Sequence, residues 1–199
     1  MKLYFLPIGS YEPHPRLPSD IDTKIAERFA ELLAKGTNGE LLPSLSYSSS
    51  WEWEGSVSLR VETLASVLRD LKNSIEKLGG ILVVVNAHGG NVGLLDAIGR
   101  QEGFYVINFY KACGLRPGHS GEVECMVAKA LGIIEETCER GGKWPEGLVV
   151  KPKIELGIYD EMKLDFHEVV ESIQRCAFKV VRELTEISKR QTIKDAREV

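Results

Sequence analysis

The sequence predicts a single α/β domain over residues 1–199, a three-layer α/β/α sandwich with a mostly parallel central sheet. Strand-like apolar segments alternate with helical patterns, which is typical of a parallel sheet covered by helices on both faces. The segment from Ile81 to Val85 is apolar without alternation, as expected of a strand buried on both faces. A hydrophobic content of 43% in 199 residues suits one domain with a substantial core.

The elements follow one another in a regular order along the chain. The predicted strands are residues 2–8, 41–47, 81–86 and 104–109, and the predicted helices are residues 20–35, 61–78, 92–100, a segment through 127–131, and 166–187. The second helix is the clearest, with apolar residues every three or four positions at Val61, Leu64, Leu68, Leu71, Ile75 and Leu78. The first helix is expected to bury Ile25, Phe29, Leu32 and Leu33. Residues 139–160 are rich in Gly and Pro and give no assignment, and the last ten residues are expected to fray.

Composition excludes several classes of protein. The 25 basic and 29 acidic side chains give a net charge of -4, which argues against a nucleic-acid partner. Apolar runs stay well short of the ~20 residues that cross a bilayer, and the first residues turn polar too soon for a secretory signal. These features predict a cytoplasmic protein with no membrane partner.

The four cysteines are widely spaced and form no CxxC pair. This spacing disfavours a zinc knuckle, and a cytoplasmic location disfavours disulfides. We therefore expect free thiols at these positions, which are Cys113, Cys125, Cys138 and Cys176.

Three of the four histidines lie in loops that follow predicted strands. Such loops converge at the carboxyl edge of a parallel sheet, so residues distant in sequence can share one site. Imidazoles and carboxylates together are ligands of zinc, manganese and iron. The loops offer Glu12, His14, Asp20 and Asp22, then His88, then His119, Glu122 and Glu124. The remaining histidine, His167, falls on the polar side of a helix and is expected at the surface.

Each of these residues also has an ordinary structural role open to it. An aspartate at Asp20 or Asp22 suits a helix N-cap, and glutamates at Glu122 and Glu124 suit the first turn of a helix. His14, between two prolines, suits an exposed loop. Taken together, three loops with the same types of ligand favour a metal site.

The motifs in these loops carry a family resemblance. LPIGSYEPHPRLPSDID resembles the creatininase family opening LPxGSxEQHGPHLPLxTD, NAHGGN is similar to NGHGGN, and GHSGEVE is similar to HAGExET. The motifs occur in the family's order and span roughly residues 3–131, about two thirds of the chain. The combination is specific, although each motif alone is not.

The resemblance implies a two-metal amidohydrolase, commonly assembled as a hexamer of identical chains. Its two divalent ions would be zinc, iron or manganese. By position, Glu12 and His88 would hold one metal and His14 the other, while Asp22 would bridge both. Glu122 would complete the second metal site and join His119, the acid/base residue, in the catalytic set.

Three departures from the family pattern bear on these roles. Pro13 replaces the glutamine after the first glutamate, and the spacing to the aspartate is one residue shorter. Asp20 is therefore a rival to Asp22, although aligning LPSDID with LPLxTD selects Asp22. Creatinine-cleaving members carry a carboxylate two residues after the NGH histidine, where this chain has Gly90. Because the chain is also short for the family, a specificity loop could be missing.

These features predict hydrolysis of a non-peptide C–N bond in a small amide or formamide by metal-activated water. Gly90 favours deformylation of a formylaminopyrimidine nucleotide over hydrolysis of creatinine or another cyclic amide. The alternative of another class is an inactive metal-binding assembly protein. The predicted substrate-binding residues are Ser48, Trp51, Trp53, Gly89 and Gly90, and the candidate phosphate contacts are Arg16, Arg60, Lys111 and Arg116. The two tryptophans could equally lie at a subunit interface.

Overall fold

The computed structural model describes residues 1–145 and 151–195. Its central sheet has four parallel strands in the order β2-β1-β3-β4. The strands are β1 (Lys2–Ile8), β2 (Glu40–Leu41), β3 (Gly80–Asn86) and β4 (Tyr105–Asn108). The long pair β1 and β3 runs in register from Lys2 opposite Gly80 to Ile8 opposite Asn86. Their carboxyl ends therefore finish level with each other, at one edge of the sheet.

Helices cover both faces of this sheet. They are α1 (Ile21–Thr37), α2 (Val61–Lys77), α3 (Val92–Glu102), α4 (Phe109–Cys113), α5 (Glu122–Ala130) and α6 (Phe166–Asp195). A short 3-10 turn, Gly89–Asn91, precedes α3, and a small parallel pair, β5 (Gly142–Lys143) and β6 (Tyr159–Asp160), lies apart from the main sheet.

Alternate side chains of the central strands feed two separate cores. Phe5 and Val83 point into a core shared with α1, α4, α5 and α6. Leu6 and Val84 point into a second core, shared with α2 and α3. Successive side chains of a strand point to opposite faces of the sheet, and here both faces are covered by apolar cores. This explains why β3 is apolar without alternation. The predicted three-layer α/β/α class is confirmed.

Several element boundaries differ from the sequence prediction. The second strand is only two residues long, and a single bridge between Ile8 and Leu45 remains of its predicted extension. Leu32 is exposed although it was expected in the core. Helix α6 continues to Asp195 where fraying was expected, because apolar residues up to Ile187 pack on the first core. Parts of the predicted domain, residues 146–150 and 196–199, lie outside the described residues.

The expectation of free thiols is wrong. Cys113 pairs with Cys176, and Cys125 pairs with Cys138. The first bond joins α4 to α6 across 63 residues, a proximity that only helix packing creates. The spacing of the cysteines alone could not reveal this pairing.

None of the described helices is long and apolar enough to cross a membrane.

Candidate metal centre

The carboxyl edge of the sheet brings the three predicted loops together. Glu12 and His14 lie in the loop after β1, and Asp22 lies in the first turn of α1. His88 follows β3 directly, and His119 lies in the loop between α4 and α5. All five side chains are buried.

Two groups of potential ligand atoms share Asp22. One group is Glu12, Asp22 and His88, and the other is His14, Asp22 and Glu124. Within each group the ligand atoms lie within 4.8 Å of one another. His88 Nδ1 is 3.0 Å from Asp22 Oδ2 and 3.5 Å from Glu12 Oε2. His14 Nε2 is 3.6 Å from Glu124 Oε2. A carboxylate common to two ligand groups is the arrangement that a bridged pair of metals requires.

Backbone carbonyl groups fix the orientation of all three imidazoles. His14 Nδ1 is 3.1 Å from the Glu12 carbonyl oxygen, and His88 Nε2 is 3.1 Å from that of Ser49. His119 Nε2 is likewise 3.1 Å from the Pro13 carbonyl oxygen. In the neutral rings of His14 and His119 the nitrogen near the carbonyl carries the proton, so the other nitrogen presents its lone pair. His88 presents a lone pair on Nδ1 only after that nitrogen gives up the proton that it directs at Asp22 Oδ2, 3.0 Å away. This hydrogen bonding is typical of metal-ligating histidines.

A polar network holds the NAHGGN turn in place beneath the site. The Asn86 side chain accepts from the His88 backbone N–H at 3.1 Å and donates to Asn108 at 2.9 Å. Asn91 donates to Ser48 Oγ at 3.0 Å. The asparagines flanking His88 in the motif thus set the position of its backbone.

The buried carboxyl groups crowd negative charge at the centre. Burial raises the pKa of Glu12 to about 8, and the charge of Asp22 adds to the rise while His88 opposes it. Burial also raises the pKa of Glu124 well above its usual value, again with a contribution from Asp22. Burial would raise the pKa of Asp22 too, but the hydrogen bond and charge of His88 bring it to about 2. A bound cation would relieve this crowding by stabilising all three ionised forms.

The imidazoles divide into two electrostatic classes. Burial opposes protonation of His88, yet the charges of Glu12 and Asp22 raise its pKa to about 10. Burial lowers the pKa of His14 and brings that of His119 to about 3. His119 is therefore neutral over the physiological range. Its ring is stacked between Trp53, at a centroid distance of 3.9 Å, and His14, at 4.5 Å.

Two orphaned atoms test whether the donor set fits a metal pair. Glu12 Oε2 and His14 Nε2 are buried and have no hydrogen-bond partner in the part of the chain that the structure describes. One belongs to a residue of each ligand group: Glu12 Oε2 lies 3.5 Å from His88 Nδ1, and His14 Nε2 lies 3.6 Å from Glu124 Oε2. Buried polar atoms normally find partners, so two buried atoms that offer lone pairs without a partner at one centre fit the binding of cations. The residues fit two divalent metals.

Glu122 does not join this cluster. Its carboxylate lies 2.6 Å from Arg140 Nε, and its side chain is 22% exposed. Glu124 occupies the position expected of Glu122, with its Oε2 accepting from the Ser120 backbone N–H at 2.7 Å. The structure therefore places Glu124, and not Glu122, within the group of potential ligands, because the first turn of α5 turns the side chain of residue 124 inward. The sequence held no signal for this choice, since Glu122 has the apolar Cys125 and Met126 three and four residues on, just as Glu124 has Val127 and Ala128.

The predicted substrate residues divide between the cavity and its surroundings. A cavity of about 350 Å³ opens onto the cluster, and Trp53, Gly89 and Gly90 line it. Ser48 is buried and donates to the Gly9 carbonyl, while Trp51 is exposed and donates to that of Leu59. Neither of these two lines the cavity. Sequence reasoning did not select further lining residues, namely Glu52, Tyr110, Trp144, Ile154 and Glu161.

Among the candidate phosphate contacts, only Lys111 lines this cavity in the described part of the chain. Its Nζ is 3.5 Å from Asp96 Oδ2. Arg16 forms an ion pair with Glu139, and Arg60 and Arg116 are exposed outside the cavity.

Residues from the segment that had no sequence assignment hold the His119 loop. His119 and Tyr159 exchange two backbone hydrogen bonds, of 3.0 and 2.8 Å. Gly118 has a positive φ of 74°, and a Cβ there would lie 2.1 Å from the Tyr159 carbonyl oxygen. Asp160 accepts from the backbone N–H of Glu122 at 2.7 Å and so caps α5. The segment around Tyr159 thus positions both His119 and the start of α5.

The fold and the site together define a class of protein. It is an α/β protein with a parallel sheet, and buried imidazoles and carboxylates at the carboxyl edge of the sheet form a potential two-metal centre. The family model for creatininase, described as creatinine amidohydrolase, matches residues 1–132. The chain belongs to the creatininase family. The match contains every residue of the cluster.

Curated relatives with two different activities are similar to this chain. A mycofactocin precursor peptide peptidase from Mycobacterium tuberculosis is 31% identical over 156 residues, which cover 68% of this chain and 61% of the relative. A 2-amino-5-formylamino-6-ribosylaminopyrimidin-4(3H)-one 5'-monophosphate deformylase from Methanobrevibacter ruminantium is 30% identical over 147 residues, covering 68% and 62%. The chain therefore spans about three fifths of the length of these relatives.

Solved structures share the fold. A manganese creatininase superposes with a TM-score of 0.69 at 17% identity, covering 93% of this chain and 90% of the other. A creatininase mutant of Zn-Zn type gives a TM-score of 0.70 at 16% identity with the same coverage. At this identity the likeness establishes the three-layer architecture of the chain.

Proposed function

We propose that this chain is a hydrolase that cleaves an amide C–N bond at a two-metal centre. The observation that carries the proposal is the sharing of Asp22 between two buried ligand groups, each with an unpartnered donor atom. Glu12 and His88 would hold one metal, His14 and Glu124 the other, and Asp22 would bridge them. Zinc and manganese in related creatininase structures support divalent ions of this kind.

When bound, the two ions would supply an activated water and polarise the carbonyl group to be attacked. The residues of the chain supply position and proton transfer. The Pro13 carbonyl holds the proton of His119 on Nε2, which leaves Nδ1 as the proton acceptor beside Glu12, 3.5 Å away. Stacking on Trp53 keeps this ring in one plane. His119 would therefore take a proton on Nδ1 during attack and return it to the departing nitrogen.

The substrate we propose is a formylaminopyrimidine nucleotide, which would lose its formyl group. Support comes from the deformylase relative at 30% identity and from Gly90, which supplies no carboxylate at the position where the family resemblance places one in creatinine-cleaving members. The cavity volume of about 350 Å³ falls within the usual range for small molecules. The rings of Trp53 and Trp144 line it and could stack on a flat heterocycle, and Lys111 is available for a phosphate.

Peptide-bond hydrolysis is the second candidate. The peptidase relative is 31% identical over a slightly longer alignment, and a centre that hydrolyses a formamide can attack a peptide carbonyl by the same steps. Hydrolysis of creatinine and a purely metal-binding role are two further alternatives. The native metal, the cytoplasmic location and a homo-oligomeric assembly also stay predictions.

The test is metal analysis coupled to a substrate panel. The protein, loaded with zinc, manganese or iron, is incubated separately with the formylaminopyrimidine nucleotide, creatinine and a short peptide. We expect formate to appear faster than creatine or cleaved peptide. Faster creatine or peptide release would refute the deformylase assignment and leave the hydrolytic chemistry intact, whereas two bound metals without turnover would favour the binding protein.

Asp22→Ala in the same assay should remove both metals and abolish activity, because both ligand groups need this carboxylate. Asp20→Ala is the matched control. Asp20 lies two residues earlier and forms a half-exposed ion pair with Lys24, so its loss should leave metal and activity nearly unchanged. One metal in the wild-type protein, or a severe effect of Asp20→Ala, would contradict the bridging role.

A further inference from the structure

Tyr110 is a buried phenol with no assigned role. It lies in α4, two residues beyond the end of β4 and at the same edge of the sheet as the candidate metal centre. The residue is 9% exposed and lines the cavity that contains Glu12, Asp22 and His119. Its place in the fold therefore brings the phenol side chain to the wall of the cavity beside the candidate metal centre.

The hydroxyl group of Tyr110 has no hydrogen-bond partner among the described residues. A buried tyrosine hydroxyl usually finds one, because it loses its bonds to water without compensation otherwise. The ring itself is well packed, with an edge contact to Phe109 at a centroid distance of 4.9 Å. Phenylalanine would satisfy that packing equally well, so packing does not account for the hydroxyl.

The charges that act on this phenol belong to the centre. Burial raises the pKa of Tyr110 well above its usual value, and the carboxylates of Glu124 and Asp22 raise it further. The group is therefore a neutral O–H donor throughout the physiological range. Glu124 and Asp22 also form, with His14, the second ligand group. The carboxylates that influence the phenol are thus members of the candidate metal centre.

We propose that Tyr110 is a catalytic residue whose O–H donates a hydrogen bond to the oxygen of the carbonyl under attack as that oxygen becomes negatively charged. This inference rests on the proposed hydrolytic function. A neutral donor already positioned in a buried site stabilises the developing oxyanion without reorganisation. No bond to Tyr110 forms or breaks, and its proton stays on the phenol oxygen. Its unpartnered state in the free protein follows, because the acceptor arrives with the substrate.

The test replaces the hydroxyl alone, in Tyr110→Phe. Tyr105→Phe is the matched control, since it removes the same atom from an exposed ring five residues earlier. Both proteins are loaded with zinc, and methylphosphonate serves as a tetrahedral anion that resembles the attacked carbonyl. We expect Tyr110→Phe to keep two zinc ions and an unchanged or higher Tm, while its Kd for methylphosphonate rises at least about tenfold. On the best substrate of the panel, kcat should fall by about 100-fold or more with little change in KM.

The binding measurement separates this inference from the proposed function. Weaker methylphosphonate binding by Tyr110→Phe would support the donor role even if no compound of the panel is hydrolysed. Equal binding by wild type and Tyr110→Phe, including no measurable binding by either, would overturn it. A lower zinc content in Tyr110→Phe would also overturn it, since the hydroxyl would then belong to the support of the metal ligands.

Discussion

Glu124 and Glu122 offer a sharp test of the metal centre, because two similar side chains lie two residues apart in different surroundings. Glu124 is 3% exposed, lies 3.6 Å from His14 Nε2 and accepts a backbone hydrogen bond from Ser120. Glu122 is partly exposed and pairs with Arg140. Replacing each by glutamine removes one negative charge and preserves size. The two substitutions should therefore differ in metal binding and hardly at all in folding.

The size of the Glu124→Gln effect follows from the charges. Two unit charges 4 Å apart in an effective dielectric of about 20 interact by about 4 kcal/mol. This corresponds to about a thousandfold in Kd, and a divalent ion at ligand distance would interact more strongly. Part of the gain is offset because Glu124 must first lose a proton whose pKa burial raises. We expect Glu124→Gln to weaken the second metal by at least about a hundredfold.

The assay is competition for zinc with a chromogenic chelator, combined with elemental analysis. Wild type and Glu122→Gln should each hold two zinc ions with closely similar Kd values, because an exposed ion pair contributes at most about 1 kcal/mol. Glu124→Gln should hold one ion tightly, at Glu12 and His88. Circular dichroism and Tm measurements establish that both variants are folded. Loss of metal in Glu122→Gln with retention in Glu124→Gln would refute the assignment.

Two further substitutions probe the surroundings of the centre. His119→Ala should retain both metals and lower kcat by about a hundredfold, the usual range for a positioned acid or base. Loss of metal in this variant would instead show that His119 is a metal ligand, since it also lies in a potential ligand group with Glu12 and His14. Gly90→Ala should lower both metal affinity and activity, because a Cβ there would lie 2.6 Å from His88 Nε2 and 2.8 Å from Glu52 Oε1. Gly89→Ala is its control, as a Cβ at residue 89 meets no atom of the described residues within 4 Å. Equal behaviour of the two alanine variants would show that the His88 ring has room to move.

The sequence alone was enough to select Glu12, His14, Asp22, His88 and His119, because each belongs to a short motif in the segment that follows a predicted strand. The convergence of these loops follows from a general rule for parallel sheets, whereas the strand order came from the structure. The sequence by itself therefore determined the layer architecture and the neighbourhood of the site. The sequence also determined that β3 contributes side chains to two cores, since an apolar run such as Ile81 to Val85 is buried on both faces only when it lies between two layers of helices.

Tertiary structure alone decided the choice between Glu122 and Glu124, because the rotation of a short helix about its axis depends on how α5 packs against α1 and α6. It also decided the pairing of Cys113 with Cys176, which are 63 residues apart in sequence. The unpartnered hydroxyl of Tyr110 is likewise invisible in sequence, since a missing partner is a property of every residue around it. Local patterns specify which groups a loop or helix can present, whereas packing between distant elements fixes which of them meet.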